Sequence, residues 1–141
     1  MISPTGHGIR GNDKHGFGMY GKPRVGNDRH GITKIHSGSD FIVYPIGQEI
    51  VAPANGLVMR IKYPYSKPVD GIMFSGIFVR GNDYEYTLFY FEPLRTIIKT
   101  KIYEGQVIGH AQDISIKYSG MIPHVHFHYD SMNPELFLRL P

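Results

Sequence analysis

Three histidines stand at alternate positions late in the chain, in His124-Val125-His126-Phe127-His128. In a β-strand, successive side chains point to opposite faces, so the three imidazoles share one face and Val125 and Phe127 point into a core. Alternate residues on a strand face lie about 6–7 Å apart, so one ion cannot be held equally by all three. Two of them can face one small site, one as a metal ligand and the other as a proton carrier. Far upstream, His36-Ser37-Gly38-Ser39-Asp40 brings an imidazole and a carboxylate close together. These are zinc donors: the ion takes imidazole nitrogen and carboxylate oxygen at about 2.0–2.2 Å, and a catalytic zinc keeps three protein ligands with a position left for water. His36, Asp40 and one of the strand histidines meet that count.

Such a site needs strands to hold it. Phe41-Ile42-Val43-Tyr44, Glu49-Ile50-Val51-Ala52 and the run from Gly56 to Tyr63 are β-branched and aromatic, separated by Pro-Ile-Gly and Pro-Ala-Asn-Gly turns. Ile77 to Arg80 and Tyr84 to Phe91 read as a hairpin around Gly81-Asn82-Asp83. Ile97-Ile98-Lys99 and Gln106 to Gly109 read as short strands, and Asp113 to Pro123 as a loop leading into the histidine strand. Met132 to Leu140 is the one helical turn expected, opened by Asn133-Pro134-Glu135. Many short strands with turn signals predict an all-β, compact antiparallel sheet or sandwich. Residues 1–34 are rich in glycine and polar residues and are expected to form an irregular arm packed on a domain spanning 35–141. Within the arm, Gly11-Asn12-Asp13-Lys14-His15-Gly16 is echoed by Gly26-Asn27-Asp28-Arg29-His30-Gly31, which reads as a pair of turns. The alternative is that Asp13, His15, Asp28 or His30 reaches toward the metal.

Composition narrows the function. A chain of 141 residues suggests one domain with a real core. Cysteine count is 0, which excludes disulfides, a thiolate metal site and a cysteine nucleophile. Net charge is +3 with a sequence pI of about 9.1, but no Lys/Arg cluster forms a basic arm, so no nucleic-acid partner is expected. A mild attraction to anionic polymers such as cell walls fits that charge. No secretory signal and no membrane span are expected from the sequence. Most of the aromatic residues are read as core.

The ordered motifs resemble those of lysostaphin-type (LytM-like) zinc metallopeptidases. His36-Ser37-Gly38-Ser39-Asp40 is similar to their H-x-G-x-D signature, and His124-Val125-His126-Phe127 to their H-x-H-F signature. Between them, Pro45-Ile46-Gly47, Ile50 to Val58, and Tyr103 to Gly109 are similar to the family's core segments. A narrower resemblance, to the leukocyte cell-derived chemotaxin branch, lies in Asp13 to Tyr20, Phe89-Tyr90-Phe91-Glu92-Pro93 and Gly120 to His126. That branch is zinc-binding and is regarded as lacking peptidase activity.

The resemblance implies a duplicated-hybrid-motif-like fold and a Zn2+ cofactor held by His36, Asp40 and His126, with His124 as the catalytic histidine beside it. It implies hydrolysis of peptide bonds in bacterial peptidoglycan, with zinc-bound water as nucleophile and peptidoglycan peptides as partners. Action in the periplasm or cell wall would then need delivery by phage, lysis or secretion machinery. Active members carry a further histidine in a Y-x-H-L stretch; that position falls on Tyr90 here, and position 128, usually Glu, is His128. A tyrosine hydroxyl can donate a hydrogen bond but is a poor base, with a pKa of about 10. Glu92, two residues on, is a second candidate for that role. The alternative implied is a catalytically weak or silent zinc-binding module of the same fold that recognises cell wall or a partner. A third reading is latency, in which the 1–34 arm blocks the water site.

Overall fold

The computed structural model describes residues 1–11, 13–16, 18–20, 23–24, 34–35, 38–82, 84–130 and 133–139. His36, Asp28 and His30 lie outside the described residues, as does most of the second Gly-Asn-Asp echo.

The β-branched and aromatic runs form strands, with polar and glycine-bearing turns between them. In chain order they are β1 (Pro23–Arg24), β2 (Lys34–Ile35), β3 (Ser39–Ile42), β4 (Glu49–Val51), β5 (Gly56–Lys62) and β6 (Gly76–Arg80). They continue with β7 (Glu85–Phe89), β8 (Phe91–Pro93), β9 (Lys101–Ile102), β10 (Val107–Ala111) and β11 (His124–Tyr129). Every ladder between them is antiparallel. A six-stranded sheet runs in the order β3-β11-β7-β6-β5-β9, a three-stranded sheet in the order β4-β10-β8, and β1 pairs with β2. The all-β expectation holds: the described residues contain no α-helix, only single 3-10 turns at Arg95–Ile97, Ile114–Ile116 and Pro134–Phe137. Among them no helix is long and apolar enough to cross a membrane.

The two larger sheets bury a common core. Phe41, Ile77, Leu88, Val125 and Phe127 from the first meet Ile50, Phe91 and Ile108 from the second. Val125 and Phe127 are fully buried, as the alternation in the histidine strand requires. A smaller cluster of Phe74, Ile114 and Met121 lies under Tyr65, Tyr90 and Tyr118.

Strand β3 is at the edge of its sheet, and the N-terminal residues cover it. Ile42 N donates to Gly8 O at 2.9 Å, Arg10 N to Asp40 O at 2.7 Å and Asp40 N to Gly18 O at 2.8 Å. An unpaired edge is a template for association with other chains, and here the protein's own backbone occupies it. Asp13 and Gly16 close the expected turn through a reciprocal pair of backbone hydrogen bonds.

Four local expectations are corrected. The strand expected from Tyr84 to Phe91 breaks at Tyr90, whose φ is 77. That left-handed residue lets the chain leave the six-stranded sheet after Phe89 and enter the other sheet at Phe91. Ile97-Ile98-Lys99 is not a strand: Arg95–Ile97 is a 3-10 turn and Lys99 has φ 65, so the pairing with β5 falls to Lys101–Ile102. The Asp113–Pro123 loop opens with a 3-10 turn because the Asp113 carboxylate accepts from Ser115 N at 3.0 Å. The short strand expected over Gln106 to Gly109 runs on to Ala111, so His110 is an exposed residue of β10.

Strand β6 approaches β7 too closely for any side chain at Gly76. A Cβ there would lie 1.8 Å from Leu88 O, a backbone atom that cannot swing aside. Gly8 has nothing within 4 Å of such a Cβ. Overpacking costs about 1–3 kcal/mol and sometimes more, whereas an unstrained surface substitution stays within about ±0.5 kcal/mol. Urea denaturation should therefore show Gly76→Ala destabilised by at least about 2 kcal/mol and Gly8→Ala nearly unchanged; equal midpoints would refute the close approach.

Candidate metal centre

The register of β11 builds the site. His126 pairs with Asp40 on β3 on one side and with Phe89 on β7 on the other. Directly opposed residues put their side chains on the same face, with Cβ atoms about 4.5–5.5 Å apart. His126 Nδ1 accordingly lies 2.9 Å from Asp40 Oδ1. A carboxylate only accepts, so Nδ1 carries the hydrogen in this pair. The other side of the ring is fixed by Gly38: a Cβ at that position would sit 2.7 Å from His126 Nε2 and Cε1. The glycine between His36 and Asp40 thus gives the imidazole room, and Nδ1 is the atom turned to the carboxylate.

His124, two residues earlier on the same face, is 1% exposed. Its Nδ1–H donates to Ile122 O at 2.8 Å, which makes Nε2 the lone-pair nitrogen of the neutral ring. Nε2 is buried without a hydrogen-bond partner and faces Asp40 Oδ2 at 3.4 Å. Burial pushes the pKa of His124 down to about 4, although the Asp40 carboxylate pulls the other way. The ring is therefore neutral at neutral pH, with its lone pair directed at the carboxylate.

Asp40 is fully buried and carries a second set of partners that the sequence reading missed. Arg10, also fully buried, donates to Asp40 Oδ2 through Nε at 3.1 Å and Nη2 at 2.9 Å. Its Nη1 donates to Asp13 Oδ2 at 2.9 Å and to Gly16 O at 2.8 Å. Asp13 in turn accepts from Ile122 N at 3.0 Å and His15 N at 2.7 Å. Burial raises the pKa of Asp13, but these backbone donors and Arg10 outweigh it and hold the carboxyl below its usual range. Asp13 is thus committed to Arg10 and the backbone, and His15 Nε2 lies 3.0 Å from Ser119 O. Both side chains, considered from sequence as extra metal ligands, thus have partners other than Asp40.

Tyr90 stands edge-on to His124, with ring centroids 5.5 Å apart. Its hydroxyl is 3.1 Å from Tyr65 Oη, and Tyr65 donates to Tyr118 Oη at 3.2 Å. Each phenol has one hydrogen, so with Tyr65's committed to Tyr118, the bond between Tyr90 and Tyr65 uses the Tyr90 hydrogen. Burial, with the neighbouring phenols, pushes the Tyr65 pKa up and keeps it protonated. The break at Tyr90 also separates it from Glu92, which is exposed and lines a different hollow with Ser75, Arg95 and Gln112. Glu92 and Tyr90 therefore do not share a face. His128 is half-buried and borders a surface recess with Thr87 and Asp130, away from Asp40.

These donors suit a zinc ion. Neighbouring ligands on a tetrahedral zinc lie roughly 3.3 Å apart. His126 Nδ1 lies 2.9 Å from one oxygen of the buried Asp40 carboxylate, close to that spacing, and the orphaned His124 Nε2 stands beside them, 3.4 Å from the other oxygen. Among the described residues no three His, Asp or Glu side chains form a complete ligand group. His36, the third donor expected from sequence, lies outside them.

No family model matches the chain. Myeloid protein 1 of Gallus gallus is 32% identical over 126 residues, which cover 88% of this chain but only 35% of that protein. Leukocyte cell-derived chemotaxin-2 of Mus musculus is 28% identical over 137 residues, covering 96% of this chain and 83% of its own length. Among solved structures, the catalytic domain of the antimicrobial peptidase lysostaphin from Staphylococcus simulans aligns with a TM-score of 0.61 at 20% identity, over 89% of this chain and 92% of that one. A zinc containing peptidase from Vibrio cholerae aligns with a TM-score of 0.57 at 19% identity, over 90% of this chain and 35% of that one. The structural likeness is one of fold, and the sequence relatives include the chemotaxin branch that the motifs resemble.

A histidine kept neutral by burial lowers stability in acid. In the unfolded chain it takes up a proton near its ordinary value of 6.5, whereas in the folded chain it does so only near 4. Stability contributed at neutral pH is thus lost as pH falls between those values, by up to about 3 kcal/mol. The metal-free protein should show this loss in urea titrations, and ¹⁵N NMR should find His124 as the Nδ1–H tautomer at pH 6. A charged His124 ring at pH 6 would contradict the burial argument.

Proposed function

We propose that this chain, a lysostaphin-type fold with sequence relatives in the chemotaxin branch, is a zinc-dependent endopeptidase acting on the peptides of bacterial peptidoglycan. The observation that carries this reading is the neutral, buried His124, whose free Nε2 faces the Asp40 carboxylate beside His126. Asp40 and His126 would hold the ion, with His36 as the third ligand. When bound, zinc supplies a Lewis acid and lowers the pKa of water to about 7.

The chain's own residues supply the rest. His124 Nε2 accepts the proton of the attacking water and returns it to the leaving amine; its Nδ1–H bond to Ile122 O fixes the tautomer that makes this transfer available. Phe89 lies against the His126 ring at 6.4 Å between centroids and, with the edge of the Tyr90 ring, limits water around the two imidazoles. The Tyr90 hydroxyl is placed to face a developing oxyanion only if it gives up its bond to Tyr65.

That bond favours the second reading, a zinc-binding recognition module with little or no turnover. With Tyr65 committed to Tyr118, the Tyr90 hydroxyl hydrogen is drawn toward Tyr65, and among the described residues this weakens Tyr90 as a second donor for the oxyanion. Loss of one such donor costs about 10²–10³ in rate.

Purified muropeptides separate the two readings. Under the first, zinc-loaded protein releases new amino termini, chelation stops the release, and His124→Ala lowers the rate at least about 100-fold. Tyr90→His should raise that rate by about 10²–10³, since an imidazole in this position donates without the Tyr65 constraint. A protein that binds zinc and wall fragments, and cleaves nothing with either residue at position 90, is the recognition module.

A further inference from the structure

Arg10 is a fully buried cation contributed by the N-terminal segment, thirty positions in sequence from the carboxylate it grips. Both of its contacts with Asp40 fall on Oδ2, while Oδ1 is the oxygen turned to His126 Nδ1. A carboxylate free to rotate would present either oxygen; here two hydrogen bonds from a rigid planar guanidinium fix which one faces each imidazole. The third arm of the guanidinium is clamped by Asp13 and Gly16 O, so the fork itself cannot turn. Asp13 also accepts from Ile122 N, and the carbonyl of Ile122 accepts from His124 Nδ1. One hydrogen-bonded chain therefore runs from Arg10 to both imidazoles, through Asp40 to His126 and through Asp13 and Ile122 to His124.

The same residue fastens the segment that carries it. The backbone of Arg10 donates to Asp40 O and accepts from Gly18 N, and Gly18 O accepts from Asp40 N. Gly18 is close enough that a Cβ there would lie 2.5 Å from Arg10 Cβ. Gly8, Arg10, Asp13, Gly16 and Gly18 thus gather around the guanidinium and Asp40.

We propose that Arg10 is a positioning residue of the metal centre, orienting Asp40 for the ion and coupling metal occupancy to the docking of Arg10 and Gly18 on Asp40. This inference rests on the metal reading above. Groups that hydrogen-bond a ligating side chain typically contribute 10- to 100-fold to metal affinity. Coupling between two sites is reciprocal, so an ion that Arg10 helps to bind must in turn hold Arg10 and Gly18 more firmly. Latency of the kind considered from sequence would instead have the arm compete with the ion, which has the opposite sign.

The test is zinc affinity by competition with a chromophoric chelator, together with amide hydrogen exchange at Arg10 and Gly18 in the metal-free and zinc-loaded full chain. Arg10→Met leaves two buried carboxylates uncompensated and can fail to fold, so the informative variants are Arg10→Met with Asp13→Asn, and Arg10→Lys. Both are expected to bind zinc about 10- to 100-fold more weakly than wild type, Lys being unable to reproduce the fork. In the wild type, zinc should slow exchange at the two amides several-fold. That exchange measurement needs no variant to fold. Unchanged affinity in a folded variant, or exchange at these amides that zinc leaves alone or accelerates, overturns the role of Arg10 and leaves the metal reading standing. A wild type that takes up no zinc overturns the metal reading itself.

Discussion

The site depends on one buried carboxylate. Asp40 sits at the edge of a sheet with no exposed surface, and an isolated charge in that position would be strongly unfavourable. Two groups hold its oxygens, the Arg10 fork on Oδ2 and the His126 N–H on Oδ1, and the His124 ring lies 3.4 Å from Oδ2. Arg10 comes from the N-terminal segment, Asp40 from the edge strand β3 and both histidines from β11. The carboxylate therefore acts as the point where the N-terminal segment, the edge strand and the histidine strand are held together. Buried ion pairs of this kind are weak net stabilisers, because desolvation offsets most of the attraction, but breaking one costs about 3–5 kcal/mol. What they supply here is position.

Around that point the architecture is economical in its use of backbone. The edge of β3, which would otherwise present unpaired amides, is occupied by the backbone of Gly8, Arg10 and Gly18, which brings the Arg10 side chain inside. Strand β11 lies between β3 and β7, so its imidazoles are flanked by Asp40 on one side and Phe89 on the other. Where β7 ends, the left-handed Tyr90 sends the chain into the second sheet. Its amide donates to Ser75 O and its carbonyl accepts from Gln112 N, so the break leaves no backbone group of that residue unpaired. The tyrosine ring is thereby turned toward His124, at the corner where the two sheets part.

That corner is also where this chain departs from the active members of the family it resembles. A histidine there could donate and accept; a tyrosine donates once, and in this structure that hydrogen goes to Tyr65. Tyr65 is further held by Lys117, whose ammonium lies 3.5 Å from the ring centroid. The aromatic cluster of Tyr65, Tyr90, Tyr118 and Phe74 is thus a packed, hydrogen-bonded wall. Under the proposed peptidase reading, the Tyr90 hydroxyl becomes available to a substrate when that wall releases one hydrogen.

The sequence by itself determined the alternation in the histidine strand, the antiparallel all-β character and the presence of residue types able to hold a metal. All three follow from local spacing: a period of two sends Val125 and Phe127 inward, glycine and proline mark the turns, and imidazole with carboxylate is zinc chemistry. It even supplied Gly38, whose need becomes clear only when the His126 ring is seen against it. Tertiary structure decided the rest, since pairing between distant strands has no local signature. Register set His126 rather than a neighbour opposite Asp40, and a positive φ at Tyr90 broke a run that reads as unbroken β. Arg10 left no trace in its own neighbourhood, being one cation in a glycine-rich stretch. Only the fold, by burying Asp40 beneath the N-terminal segment, required a positive charge there.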